Sequence, residues 1–145
     1  MMEDYEMKFL TGERKGKCYF CGNLKRPEVY PHVPTDEFEM LIDTAEEFRC
    51  SKAHMHTKNT EYSYVIEGIV KLFNINENKE YQFYPGSFFV VEPYTMYKTK
   101  CIGGTKVLTA KVPGGDDKVY LPLYDNAWGD DWHSKEDLSI DKVLE

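Results

Sequence analysis

The sequence contains no apolar run approaching the length of a bilayer-spanning helix, and Met1–Leu10 carries too much charge for a secretory leader. On those two absences we expect a cytoplasmic protein with no membrane partner. A basic stripe is also missing: 18 Lys and Arg stand against 25 Asp and Glu, for a net charge of −7. The one basic run, Arg14-Lys15 with Lys17, is too short to track a phosphate backbone, so nucleic acid is not an expected partner. Cysteine is scarce, with only Cys18, Cys21, Cys50 and Cys101. Cys18-x-x-Cys21 has no second pair to complete a zinc ribbon, and Gly22-Asn23 behind it reads as a turn rather than as the start of a helix in a βαβ unit. We expect reduced thiols of packing value there, with a metal or redox role left open, and no disulfide framework. Helical periodicity, internal repeats and low-complexity segments are absent from the body of the chain.

What is present points to strands. Eleven Tyr and eight Phe in 145 residues favour sheet, and the length suits one domain with one core. Residues 1–34 read as an N-terminal arm with extended segments, because Pro27, Pro31 and Pro34 interrupt any helix. From residue 35 to 115 the chain divides into strand-length stretches bounded by turn residues: Phe38–Asp43, Phe48–His56, Glu61–Glu67, Ile69–Ile75, Tyr81–Tyr84, Ser87–Glu92, Met96–Ile102 and Lys106–Val112. Pro85-Gly86 and Gly103-Gly104 are among the breaks. Short strands at such regular spacing predict an all-β antiparallel sandwich or barrel. Residues 116–145 form an acidic tail, with seven acids from Asp125 onward against Lys135 and Lys142. Ser134 and Asp137 suit the cap of a short C-terminal helix over Lys135–Leu144. Trp128 and Trp132 predict that this tail packs on the barrel or on a partner subunit.

The chemistry concentrates around one pair of histidines. His54 and His56, two apart on a strand, point to one face from positions roughly 7 Å apart along the backbone. Glu61, five residues beyond His56, would face the other way on an unbroken strand. Thr57-Lys58-Asn59-Thr60 is a good turn, however, and a returning strand brings Glu61 to the same interior. Two imidazoles and a carboxylate are the donors of a facial triad and suit Mn, Fe, Co, Ni or Zn with positions left open for water or substrate. Two surface histidines beside a solvated acid is the alternative that spacing leaves open.

His54-x-His56-x4-Glu61-x6-Gly68 resembles the first motif of the cupin superfamily. A chance match of those four positions is expected in on the order of one chain in a few thousand of this length. Gly86 falls where the second cupin motif begins, and the resemblance runs from about Arg49 to Cys101. It implies an antiparallel jelly-roll β-barrel, a divalent metal on His54, His56 and Glu61, and a homodimer. The sequence departs from the pattern at Phe48, where the first motif opens with glycine. It departs again at Glu92, Tyr94, Tyr97 and Cys101, which replace the Pro, Gly, His and Asn of the second motif. Tyr97 thus stands in place of the fourth, histidine ligand. A phenol with a pKa near 10 is a poor ligand at neutral pH, so we expect Tyr97 to move protons beside a three-residue site.

By strand alternation Thr99 and Cys101 share the face of Tyr97, Cys50 and Lys52 that of His54, and Ser63 and Val65 that of Glu61. Val70, Leu72 and Asn74 form the inner set of the next strand. The expected pocket lining is therefore Cys50, Lys52, Ser63, Val70, Leu72, Thr99 and Cys101. Tyr62 and Tyr64 fall on the opposite, outer face. His32 and His133 lie in segments from which either could fold over the barrel mouth. The expected function is metal-dependent, redox-neutral lyase or isomerase chemistry on a small polar metabolite (a carboxylate, hydroxy acid or sugar), with Glu61 and Tyr97 as catalytic groups. A non-catalytic ligand-binding barrel and an iron-dependent dioxygenase are the alternatives.

Overall fold

The computed structural model describes residues 16–24 and 31–125, together with Met7 and residues 10–12. The helix expected over Lys135–Leu144, and Trp128, Trp132 and His133, lie outside the described residues. Among those described, no helix is long and apolar enough to cross a membrane. The only helical element among them is a 3-10 turn at Pro122–Tyr124.

Among the described residues there are eleven strands: β1 (Lys17–Cys21), β2 (Glu39–Thr44), β3 (Arg49–Cys50), β4 (His54–His56), β5 (Thr60–Glu67), β6 (Val70–Asn74), β7 (Lys79–Phe83), β8 (Phe88–Val91), β9 (Tyr97–Cys101), β10 (Lys106–Val112) and β11 (Lys118–Tyr120). They pair into two antiparallel sheets. One runs β1-β2-β10-β5-β8 and the other β11-β4-β9-β6-β7, with β3 also paired to β9. The two sheets face each other as a jelly roll, as the strand spacing predicts. Strands extend the barrel on both sides of residues 35–115: β1 pairs with β2, and β11 pairs with β4.

Alternation sets the two faces of each strand. On β5, Ser63 and Val65 are buried between the sheets, whereas Tyr62, Tyr64 and Ile66 are exposed on the outside. The apolar core fills one end of the barrel with Ala45, Val65, Val70 and Cys101, backed by Phe83, Phe89 and Val107. Phe83 and Phe89 stack across the gap between sheets, their centroids 4.1 Å apart. Leu72, Val91 and Tyr97 form a second cluster. Polar residues take the other end.

Gly68, the last residue of the histidine–glutamate motif, has a physical reason to be glycine. It turns the chain from β5 to β6 with φ +83°, and a Cβ there would lie 2.2 Å from Thr105 Oγ1 and 2.5 Å from Thr105 Cα. Thr105 cannot retreat, because its hydroxyl accepts from the Ile69 N–H and donates to the Ile102 carbonyl, at 3.2 and 2.7 Å. Gly68→Ala should therefore combine backbone strain with overpacking and cost about 2–5 kcal/mol. Urea denaturation should show it as a lower midpoint at an unchanged slope; an unchanged midpoint would disprove the account.

Candidate active site

The polar end of the barrel is built around the turn between β4 and β5. Asp117, just ahead of β11, organises that turn from the strand paired beside β4. Its Oδ2 accepts the Lys58 and Asn59 backbone N–H groups, each at 2.8 Å, and its Oδ1 accepts the Asn59 side-chain amide at 2.7 Å. The closed turn reverses the chain so that Glu61 returns to the interior face that carries His56. Asp117 Oδ1 also lies 2.8 Å from His56 Nδ1.

On its other side, His56 Nε2 lies 3.0 Å from Glu61 Oε1. The Tyr97 hydroxyl donates to Glu61 Oε2 at 3.2 Å, and Lys111 Nζ stands 3.8 Å from Oε1. Four side chains from four segments thus form one line: Asp117, His56, Glu61, Tyr97. His54 sits beside it, with its ring 4.4 Å from that of Tyr97 and edge-on to His56 at 5.5 Å. The Lys52 carbonyl, 2.7 Å away, accepts the His54 Nδ1 proton and leaves the Nε2 lone pair without a protein partner among the described residues.

Charge follows from these contacts. Burial pushes the His54 pKa down to about 4, against the pull of the Lys52 carbonyl, so this imidazole is neutral at pH 7. Burial would also lower His56, but the flanking carboxylates of Glu61 and Asp117 outweigh it and raise the pKa. Burial favours the protonated form of Glu61, yet the His56 hydrogen bond, the Lys111 charge and the Tyr97 hydroxyl hold it down to about 2. Tyr97 is pushed well above its ordinary range by burial and by the Glu61 charge, so it keeps its proton. Asp117 is lowered: the Asn59 and Lys58 amides and His56 prevail over its burial.

The donor set of His54, His56 and Glu61 fits a divalent ion in kind. Both imidazoles are anchored through Nδ1, by a carbonyl and a carboxylate, as metal-ligating histidines commonly are. The His56 and Glu61 donors hydrogen-bond to each other in this arrangement, and among the described residues no three His, Cys, Asp or Glu side chains are gathered as a metal site.

A cavity of about 340 Å³ opens over this line of groups. Of the expected lining, Ser63, Val70, Thr99 and Cys101 do line it, with His54, His56, Glu61 and Tyr97. Cys50, Lys52 and Leu72 do not. The expected strand Phe48–His56 breaks between β3 and β4, which reverses the alternation, so Arg49 and Ser51 face inward in place of Cys50 and Lys52. Leu72 faces inward but is covered by Val91 and Tyr97. His32 does not line the cavity. All four cysteines are free thiols.

Sequence reasoning missed Asp117, Lys111, Lys17 and Lys118, which come from distant segments. Only Lys111 had a usable signal, since alternation on β10 places it on one face with Thr109 and Val107. Asp117 follows Gly114-Gly115-Asp116 and reads as one more loop acid.

No protein-family model matches the sequence, and no curated protein matches it. Solved structures do match in shape. Pac13 of Streptomyces, a nucleoside dehydratase, aligns with a TM-score of 0.58 at 11% identity, over 81% of this chain and 92% of its own. An uncharacterised conserved protein with a double-stranded β-helix domain from Klebsiella pneumoniae gives 0.53 at 14%, over 66% and 88%. KdgF from Halomonas gives 0.52 at 20%, over 62% and 79%. Two facing antiparallel sheets, a polar end built on the His54–Gly68 segment and these likenesses give one result: the chain has the cupin fold, the double-stranded β-helix.

Proposed function

We propose that this chain is an enzyme that carries out redox-neutral proton-transfer chemistry of the lyase or isomerase type on a small polar metabolite in the barrel cavity. The observation that carries this reading is the line Asp117–His56–Glu61–Tyr97, which ends beside the free Nε2 of His54. It pairs an ionised carboxylate and a neutral imidazole, both able to take a proton, with a phenol that retains one. Groups whose surroundings drive their pKa values apart are how one site holds an acid and a base at the same pH. His54 and Glu61 are suited to accept a proton from a substrate carbon or hydroxyl, and Tyr97 to donate to a departing or rearranging oxygen. Pac13, which shares the fold, is a dehydratase and is solved with uridine in variants of one histidine and two tyrosines.

His54, His56 and Glu61 are the residues that would hold a divalent metal, which when bound would polarise a substrate oxygen as a Lewis acid. Metal analysis of protein purified without added metal, compared with His56→Ala, tests that part: the wild type should retain ion and the variant lose it. Equal content in both would remove the metal from the proposal. Incubation with hydroxy acids and sugars, followed by mass spectrometry, tests the reaction; a mass change of one water or none is expected. Oxygen consumption coupled to turnover would favour a dioxygenase instead, and binding without turnover a ligand-binding barrel.

We also propose that the chain is a homodimer. Tyr62, Tyr64, Phe88 and Val90 lie on adjacent strands of one outer face and are 41%, 44%, 61% and 44% exposed, with β8 at the sheet edge. Such a patch is usually covered by a partner. Light scattering should give twice the chain mass, and a monomer for Tyr64→Glu with Phe88→Glu; a monomeric wild type would refute the dimer.

A further inference from the structure

A second cavity, of about 430 Å³, adjoins the first. Lys17, Lys111, Lys118 and His56 line both cavities, and so mark where they meet. The three lysines come from three strands: Lys17 from β1, Lys111 from β10 and Lys118 from β11. Lys111 has Glu61 at 3.8 Å, but no carboxylate lies within ion-pair distance of Lys17 or Lys118 among the described residues. Arg49 is paired with Asp43, and His56 lies between Asp117 and Glu61, while Glu39 and Asp116 line the second cavity and Glu39 accepts the Gly115 N–H at 3.0 Å. Lys17 and Lys118 are therefore two ammonium groups at the junction with no carboxylate in ion-pair contact among the described residues.

Lys17 is lowered to about 8, first by burial and then by repulsion from Lys111 and Lys118, with Asp43 and Glu61 too weak to compensate. Lys17 and Lys111 flank the ring of Tyr19, 5.9 and 6.0 Å from its centroid, which anchors both stems beside the junction. The lysines open on the cavities where the two meet, within reach of an incoming anion.

We propose that Lys17 and Lys118, beside Lys111, form an anion subsite at the junction of the two cavities. It would hold the carboxylate or phosphate group of the substrate while the rest of the molecule reaches His54 and Tyr97. This narrows the substrate class to organic anions, and it rests on reading the inner cavity as the substrate pocket. The shared chemistry is a compact, multiply accepting anion, matched by ammonium donors that a neutral sugar would leave unpaired.

Calorimetric titration of the full chain with inorganic phosphate and with succinate, at constant ionic strength set by chloride, tests it. Saturable binding of either is expected, weakened at least tenfold in Lys17→Gln/Lys118→Gln. Phosphate alone would identify a phosphoryl group, succinate alone a carboxylate, and both a site that reads charge. The unbound variant should melt at or above the wild-type temperature, since it loses a repelled charge, which separates lost binding from lost folding. Absence of saturable binding by both anions, or equal binding in wild type and variant, would overturn the subsite. Anion binding by a protein that turns over no acid or sugar would overturn the proposed reaction and leave the subsite standing. Turnover of neutral sugars without anion binding would do the reverse.

Discussion

Glu61→Gln is expected to lower kcat by about 10²–10⁴-fold while the protein stays folded. Glutamine keeps the volume and one oxygen, so Tyr97 and His56 can each still find a partner of similar shape. It removes the charge, however, and with it the base. The carboxylate now holds its negative charge down to about pH 2, supported by His56, Lys111 and Tyr97. Without it, the Tyr97 hydroxyl loses the charged acceptor that orients it at 3.2 Å, and His56 keeps only Asp117. Steady-state kinetics should show the loss in kcat more than in KM, because the missing interaction is made with a moving proton rather than with bound substrate. A wild-type kcat in Glu61→Gln would end the catalytic assignment. A fall in kcat that only tracks a falling melting temperature would reduce Glu61 to a structural role.

The largest effect on stability should come from Asp117→Ala. One buried carboxylate accepts two backbone N–H groups and one side-chain amide and pairs with His56. Its loss leaves three donors of the β4–β5 turn unsatisfied and the buried His56 ring without its Nδ1 partner. Leaving buried donors of this kind without a partner costs about 1–3 kcal/mol each, and a total of about 3–5 kcal/mol corresponds to roughly 10 °C or more in melting temperature for a chain of this size. Activity should fall with it, since the same turn places Glu61. Asp117→Asn keeps an acceptor and should recover part of the stability but not the negative charge beside His56. A melting temperature within 2–3 °C of the wild type (about 1 kcal/mol or less) in Asp117→Ala would disprove this account.

The same carboxylates set the acid limit. Glu61 and Asp117 have folded pKa values below their ordinary values of 4.5 and 3.8. The stabilisation from Glu61 is therefore complete above about pH 4.5 and lost as pH falls toward 2, and that from Asp117 is complete above its ordinary value and lost as pH falls through its lowered folded value, because unfolding takes up protons that the folded chain does not bind. Lys17 acts at the other end of the scale. Its folded pKa of about 8 lies below its ordinary 10.5, so the unfolded chain binds more protons between those values and its penalty fades as pH rises through them.

Much of this was legible from residue order, because strand alternation and turn chemistry are local. The two-residue period placed Ser63, Val65, Thr99 and Cys101 inward and Tyr62 and Tyr64 outward. The turn after His56 brought Glu61 back to the histidine face, and Gly68 closed the motif at a position where any side chain would strike Thr105. Alternation failed where the strand itself failed: a break after Cys50 reversed the parity and exchanged Cys50 and Lys52 for Arg49 and Ser51. The remaining site residues depended on pairing between strands far apart in the chain. Asp117 reaches His56 across 61 positions, and Lys17 meets Lys111 and Lys118 only once β1, β10 and β11 close one end of the barrel. Such contacts carry no short-range pattern. Which face a residue takes is decided by its neighbours along the chain, whereas which charges share a cavity is decided by sheet order, and that emerges only when the barrel closes.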